Sequence, residues 1–121
     1  MGGVRRYQDL IAWQRGMALA KQTYSATNSL PDSERFGLTS QMRRSAVSVP
    51  SNIAEGFGRE STTDLLRFLR MSRGSLFELQ TQFRLAADLE FMDPDHVPSD
   101  LLDECDRVIQ GLIRSLENRP S

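Results

Sequence analysis

Cysteine, histidine, tryptophan and lysine each occur once in the 121-residue chain. A lone Cys105 forbids an internal disulfide. With His96 as the single histidine, no Cys/His set can hold zinc, and no Glu-x-x-His pair can build a di-iron bundle site. His96 stands in the Pro- and Asp-rich stretch 92–98, where a solvated surface residue is the expectation. Cys105 falls on an apolar helix face, where a thiol packs as a small hydrophobe rather than acting as a nucleophile. Gly56-Phe57-Gly58 has neither the preceding strand nor the following Gly-Lys-Ser/Thr of a phosphate loop. No catalytic residue, cofactor or metal site is therefore expected.

Long apolar runs are missing too. None approaches the roughly 18 residues of a transmembrane helix. The start, Met1 to Arg6, has no apolar stretch behind it, and Arg6 stands where myristoylation wants Ser or Thr. These features lead to the expectation of a cytoplasmic protein with no membrane partner. Aromatics make up 7% of the chain and β-branched residues are sparse, which argues against sheet.

What remains is helix-forming: Leu, Ala, Arg, Glu, Gln, Met and Ser. Four segments emerge between Pro and Gly punctuation, over about 9–29, 33–57, 62–89 and 99–116, within a single domain 1–121. In the first, capped by Asp9, the stripe is Leu10, Trp13, Met17, Ala20 and Tyr24, with Gly16 inviting close helix approach. In the second, starting at Asp32 or Ser33, Leu38, Met42, Ala46, Val49, Ile53 and Phe57 stay in phase across Pro50. That continuity predicts one helix, kinked at Pro50 where Ala46 loses its N–H donor. In the third, Ser61 caps and Leu65, Leu69, Ser72, Leu76, Leu79, Phe83 and Ala86 form a heptad seam. In the fourth, Leu101, Cys105, Val108, Leu112 and Leu116 mark the main face, widened by Ile109 and Ile113. Short connections make neighbours antiparallel, so the expected class is all-α, an antiparallel up-down-up-down four-helix bundle.

Charge is unevenly spread. Fourteen of the fifteen cations are Arg; between Arg35 and Arg84 eight Arg face four acids, and from Leu85 onward three Arg face nine. Such a split suits a basic binding surface, or pairing of the two parts within the fold. The turn between the second and third helices centres near Arg59–Glu60 and sets Arg44 opposite Ser75 and Glu78, and Glu55 opposite Asp64 and Arg67. A structural polar network of Arg44, Asn52, Glu55, Arg67, Arg73 and Glu78 is predicted, with ion pairs Arg44–Glu78 and Glu55–Arg67. Arg43, Arg59 and Arg70 lack an obvious acidic partner and are the candidates for a basic patch that grips RNA or DNA phosphates. No solvent-facing aromatic row for base stacking is evident. Ile11, Ala18, Phe57, Phe68 and Phe91 fall off the seams or near helix ends and suit a subunit interface.

The run Glu34 to Arg59, with Ser-Val-Pro-Ser-Asn-Ile-Ala-Glu-Gly at its centre, resembles the signature of the four-helix-bundle family named after intervening sequences in bacterial 23S ribosomal RNA genes. Asp9-Leu10, Trp13, Phe68-Leu69 and Arg73-Gly74-Ser75 with Glu78 agree, and the resemblance spans about Tyr7 to Leu116. It implies a bundle that closes into a homopentameric ring, with no catalytic residues. It also implies kinship with accessory variability proteins of diversity-generating retroelements, which bind nucleic acid and a reverse transcriptase. Two functions are expected on this basis: a non-catalytic oligomeric bundle that binds RNA or DNA, or an adaptor that binds another protein.

Overall fold

The computed structural model describes residues 3–119, which form four α-helices and no strand. They are α1 (Ile11–Thr27), α2 (Leu38–Gly58), α3 (Thr62–Asp88) and α4 (Ser99–Glu117). Short 3-10 turns, Tyr7–Asp9, Asp32–Glu34 and Pro94–His96, precede α1, α2 and α4. Two starts differ from the sequence expectation. Asp9 closes a 3-10 turn and does not cap α1, whose N-cap is Leu10. Gly37, at φ −105° and ψ −113°, cannot continue a helix from Ser33, so α2 begins at Leu38. Its first N–H donates to the Glu34 carboxylate at 3.1 Å instead. The third start is as expected, with Asp64 N–H donating to Ser61 Oγ at 3.3 Å.

α1 packs on α2 and α4, and α3 packs on the same two. Along α2 and α3 the partners run in opposite order: Gly56 meets Phe68, Val49 meets Ser72, Ser48 meets Ser75. α2 is one unbroken helix through Pro50, which is buried. The Pro50 ring lies on Gly16 of α1, so close that a Cβ at position 16 would sit 3.3 Å from it. A side chain there would hold the two helices apart.

The core is filled by Leu19, Met42, Val49, Ile53, Leu69, Leu76, Leu79, Phe83 and Ile109, all fully enclosed. The seams expected for α2 and α3 are the buried ones, apart from Phe57, which is half-buried. α1 is rotated from its expected face. Ala12, Gly16, Leu19, Ala20, Thr23 and Thr27 point inward, while Met17 and Tyr24 are exposed. Thr23 and Thr27 tolerate this because their hydroxyls donate to the carbonyls of Leu19 and Thr23, at 2.8 and 2.7 Å. The α4 seam is turned too: Leu102, Cys105, Ile109, Ile113 and Leu116 are buried, whereas Leu101, Val108 and Leu112 are only half-buried.

Candidate functional site

The polar side chains between helices form a different network from the predicted one. Ser48 rather than Arg44 faces Ser75, with the two hydroxyls 2.9 Å apart. Asn52 Nδ2 donates to Ser48 Oγ and to the Ser48 carbonyl. The buried Ser72 donates to the Val49 carbonyl at 2.8 Å. Neutral groups fill the seam because small hydroxyls lose little hydration, whereas a buried carboxylate would lose much.

The arginines and acids stay at the rim. Glu55 pairs with Arg59 one turn on, at 3.2 Å, and Arg67 with Asp64 at 3.5 Å. The expected pairs Arg44–Glu78 and Glu55–Arg67 are absent among the described residues: a neighbour one turn away on the same helix is nearer than one across the seam. Arg73 does join helices. Its Nε donates to Asp106 at 2.7 Å and its Nη2 to Gln110 at 3.1 Å, both on α4. Arg15 and Glu104 link α1 to α4 at 2.6 Å.

The three arginines expected to form a basic patch do not come together. Arg70 is paired with Glu117 of α4 at 2.7 Å, and Arg59 with Glu55. Only Arg43 is free of a carboxylate partner, and it has other company. Position 43 lies over the C-terminal end of α1, where Arg43 Nε donates to Thr27 Oγ1 at 2.9 Å and Nη2 to Asn28 Oδ1 at 3.1 Å. Its guanidinium lies 4.7 Å from the centre of the Tyr24 ring. Every acceptor is neutral, so the charge is held in place without a carboxylate partner.

Around it opens a groove of about 510 Å³, lined by Tyr24, Arg35, Phe36, Thr39, Ser40, Arg43, Arg44 and Val47. Among the described residues, neither Arg35 nor Arg44 is in ion-pair contact with a carboxylate. Three arginines without an ion-pair partner thus line one open surface. The nearby Glu34 carboxylate is turned toward the Leu38 N–H. Phe36 is 88% exposed, and the Arg35 guanidinium lies 5.3 Å from its ring centre. Sequence reasoning missed this site because Tyr24 fits a helical period with Leu10, Trp13 and Met17. That assignment buried the ring which here faces Arg43. Phe68, conversely, was expected at an interface. It is buried against Gly56, with the guanidiniums of Arg67 and Arg59 lying 4.6 and 5.2 Å from its ring centre.

A family model described as 23S rRNA-intervening sequence protein matches residues 8–114, a span that takes in all four helices but the last turn of α4. The chain belongs to the 23S rRNA-intervening sequence protein family. A search among curated proteins returned no match. In this member of the family the signature residues have plain structural work: Pro50 meets Gly16, Ser48 and Asn52 form the seam network, and Gly56 admits Phe68.

The reactive groups sit away from the groove. Cys105 is fully buried, and desolvation, with the Glu104 carboxylate adding and the Arg15 guanidinium opposing, pushes its thiol up to about 12. His96 is exposed in the turn before α4. No group of three or more His, Cys, Asp and Glu side chains able to hold a metal occurs among the described residues. Among the described residues, no helix is long and apolar enough to cross a membrane.

Proposed function

We infer that this protein is a non-catalytic bundle, up-down-up-down in topology with α2 bent at Pro50, which works in the cytoplasm as a homopentameric ring. The ring holds the sugar-phosphate backbone of RNA or DNA on the groove between α1 and α2. The observation that carries this reading is the set of three arginines, Arg35, Arg43 and Arg44, around one open groove with no carboxylate paired to any of them. Guanidinium forks suit phosphate oxygens, which they bind bidentately and without regard to base sequence. Arg43 is already anchored by Thr27 and Asn28, so less side-chain freedom is lost on binding.

Fluorescence anisotropy with labelled duplex DNA and structured RNA tests it. Three phosphates neutralised per subunit should make affinity fall about twentyfold to fortyfold between roughly 50 and 200 mM salt. The triple variant Arg35→Ala, Arg43→Ala, Arg44→Ala should lose the binding. Arg59→Ala with Arg70→Ala should keep it, because both side chains already serve carboxylates. No binding at low salt, or equal loss from the second pair, would defeat the reading.

A second reading, a protein-binding adaptor, draws on a different surface. Leu10, Ile11, Ala12, Val108, Leu112 and Leu116 line a mainly apolar groove of about 450 Å³ between α1 and α4, and Ile11 is 57% exposed there. In the first reading this groove belongs to the contact between copies.

A further inference from the structure

We propose that the α1–α2 groove takes a single-stranded segment of nucleic acid, whose unpaired bases stack on Phe36 while its phosphates lie on Arg35, Arg43 and Arg44. This rests on the backbone-binding reading above and names the form of nucleic acid that fits it.

Among the described residues, Phe36 is the most exposed large hydrophobic side chain, at 88%. A lone exposed Phe needs no explanation. Its setting does. It stands at a corner between the 3-10 turn Asp32–Glu34 and the first turn of α2. The corner is held by the Gly37 N–H to the Glu34 carbonyl at 3.0 Å and by the Glu34 carboxylate on the Leu38 N–H. Gly37 fits there because a Cβ would come within 3.0 Å of that carboxylate. The ring is thus presented on a braced corner rather than on a loose loop.

Arginine surrounds it. Arg35 is 5.3 Å from the Phe36 ring centre, and the same groove holds Arg43 and Arg44. A second ring, Tyr24, 46% exposed, lines the groove with Arg43 against it. Aromatic platforms beside cations that track a backbone are the two components of single-strand binding, and every base has a face that can stack. In a duplex the bases are already stacked on each other and a groove-edge phenyl ring cannot reach them. Rings and guanidiniums are used together only when the strand is single. An apolar protein partner would instead bury three arginines, at a desolvation cost that no ion pair of theirs offsets.

The test uses the full chain and three labelled probes of about 15 nucleotides, within the range one such groove can cover in an oligomer: oligo-dT, a blunt duplex, and a strand with the same phosphates but abasic sugars. Affinities are read by anisotropy at about 50 mM salt. The expected result is that oligo-dT binds about tenfold more tightly than the abasic strand. Phe36→Ala should remove that advantage and leave abasic-strand affinity unchanged, while Phe36→Trp keeps it. Equal affinity for oligo-dT and the abasic strand overturns the stacking proposal and leaves the backbone reading standing. So does a Phe36→Ala variant that still prefers oligo-dT. If none of the probes binds, both fall. If Phe36→Ala changes the sedimenting mass of the free protein, the ring belongs to a contact between copies and the proposal is overturned.

Discussion

The thiol of Cys105 links burial to solution behaviour at the level of one atom. Its ordinary value is 9.0, and enclosure in the bundle lifts it to about 12. Below the ordinary value both folded and unfolded chains carry the proton, so the group adds no pH dependence. As pH rises further the unfolded chain loses the proton first, and stability falls progressively up to the folded value. Urea midpoints measured at about pH 8 and pH 10.5 should therefore drop more steeply for the native chain than for Cys105→Ala. Equal slopes would mean that the thiol meets solvent in the fold. Cys105 as a buried, unreactive residue is legible in the sequence from its place among Leu, Ile and Val. Charged partners are less so. Counting across the α2–α3 turn sets Arg44 against Ser75, whereas Ser48 stands there. It also overlooks that Glu55 and Arg59 are one turn apart on the same helix. Tyr24 keeps the period of a core stripe yet stands 46% exposed under Arg43, so the helical period hides its place in the groove.

At the scale of the element, several helix boundaries follow from punctuation the sequence displays, Ser61 before α3, Asn28 and Pro31 after α1 and Pro98 before α4, while the starts of α1 and α2 do not. Helix faces follow only where large apolar residues dominate. α2 and α3 carry such seams, and both are the buried ones. α1 turns a mixed face inward, with Gly16, Thr23 and Thr27 beside Leu19, because its neighbour brings a proline ring to the contact. Glycines separate the two kinds of helix position. Gly56 is needed for approach, since an added Cβ would lie 2.6 Å from the Phe68 Cβ. Gly74 and Gly111 have open space around them in the middle of α3 and α4. Gly56→Ala should cost about 1–3 kcal/mol by overpacking, outweighing its gain in helix propensity. Gly74→Ala and Gly111→Ala should each add about 0.5–1 kcal/mol. Urea denaturation of the three single variants checks the opposite signs.

For the whole molecule, the uneven charge is partly spent inside the fold. Arg70 and Arg73 of the basic middle reach Glu117 and Asp106 of α4, and Arg15 of α1 reaches Glu104. The groove arginines lie outside that exchange. The two grooves make separable demands on the proposed ring, which would need two unlike patches per subunit. An apolar contact built on the α1–α4 groove should survive salt, and one built on the groove arginines should not. Sedimentation velocity at low and at about 1 M salt should give five times the chain mass in both. A ring that falls apart in salt would place the arginines in the interface and take them from nucleic acid. The contact of Gly16 with Pro50 has its own consequence, which concerns how the sequence can change. Ala at 16 would press a methyl group against the ring, and Ala at 50 would restore an N–H for Ala46 but leave space above Gly16. The effect of either exchange depends on what occupies the other position, so the pair is epistatic. Drift at these positions should proceed by paired replacement rather than by independent steps.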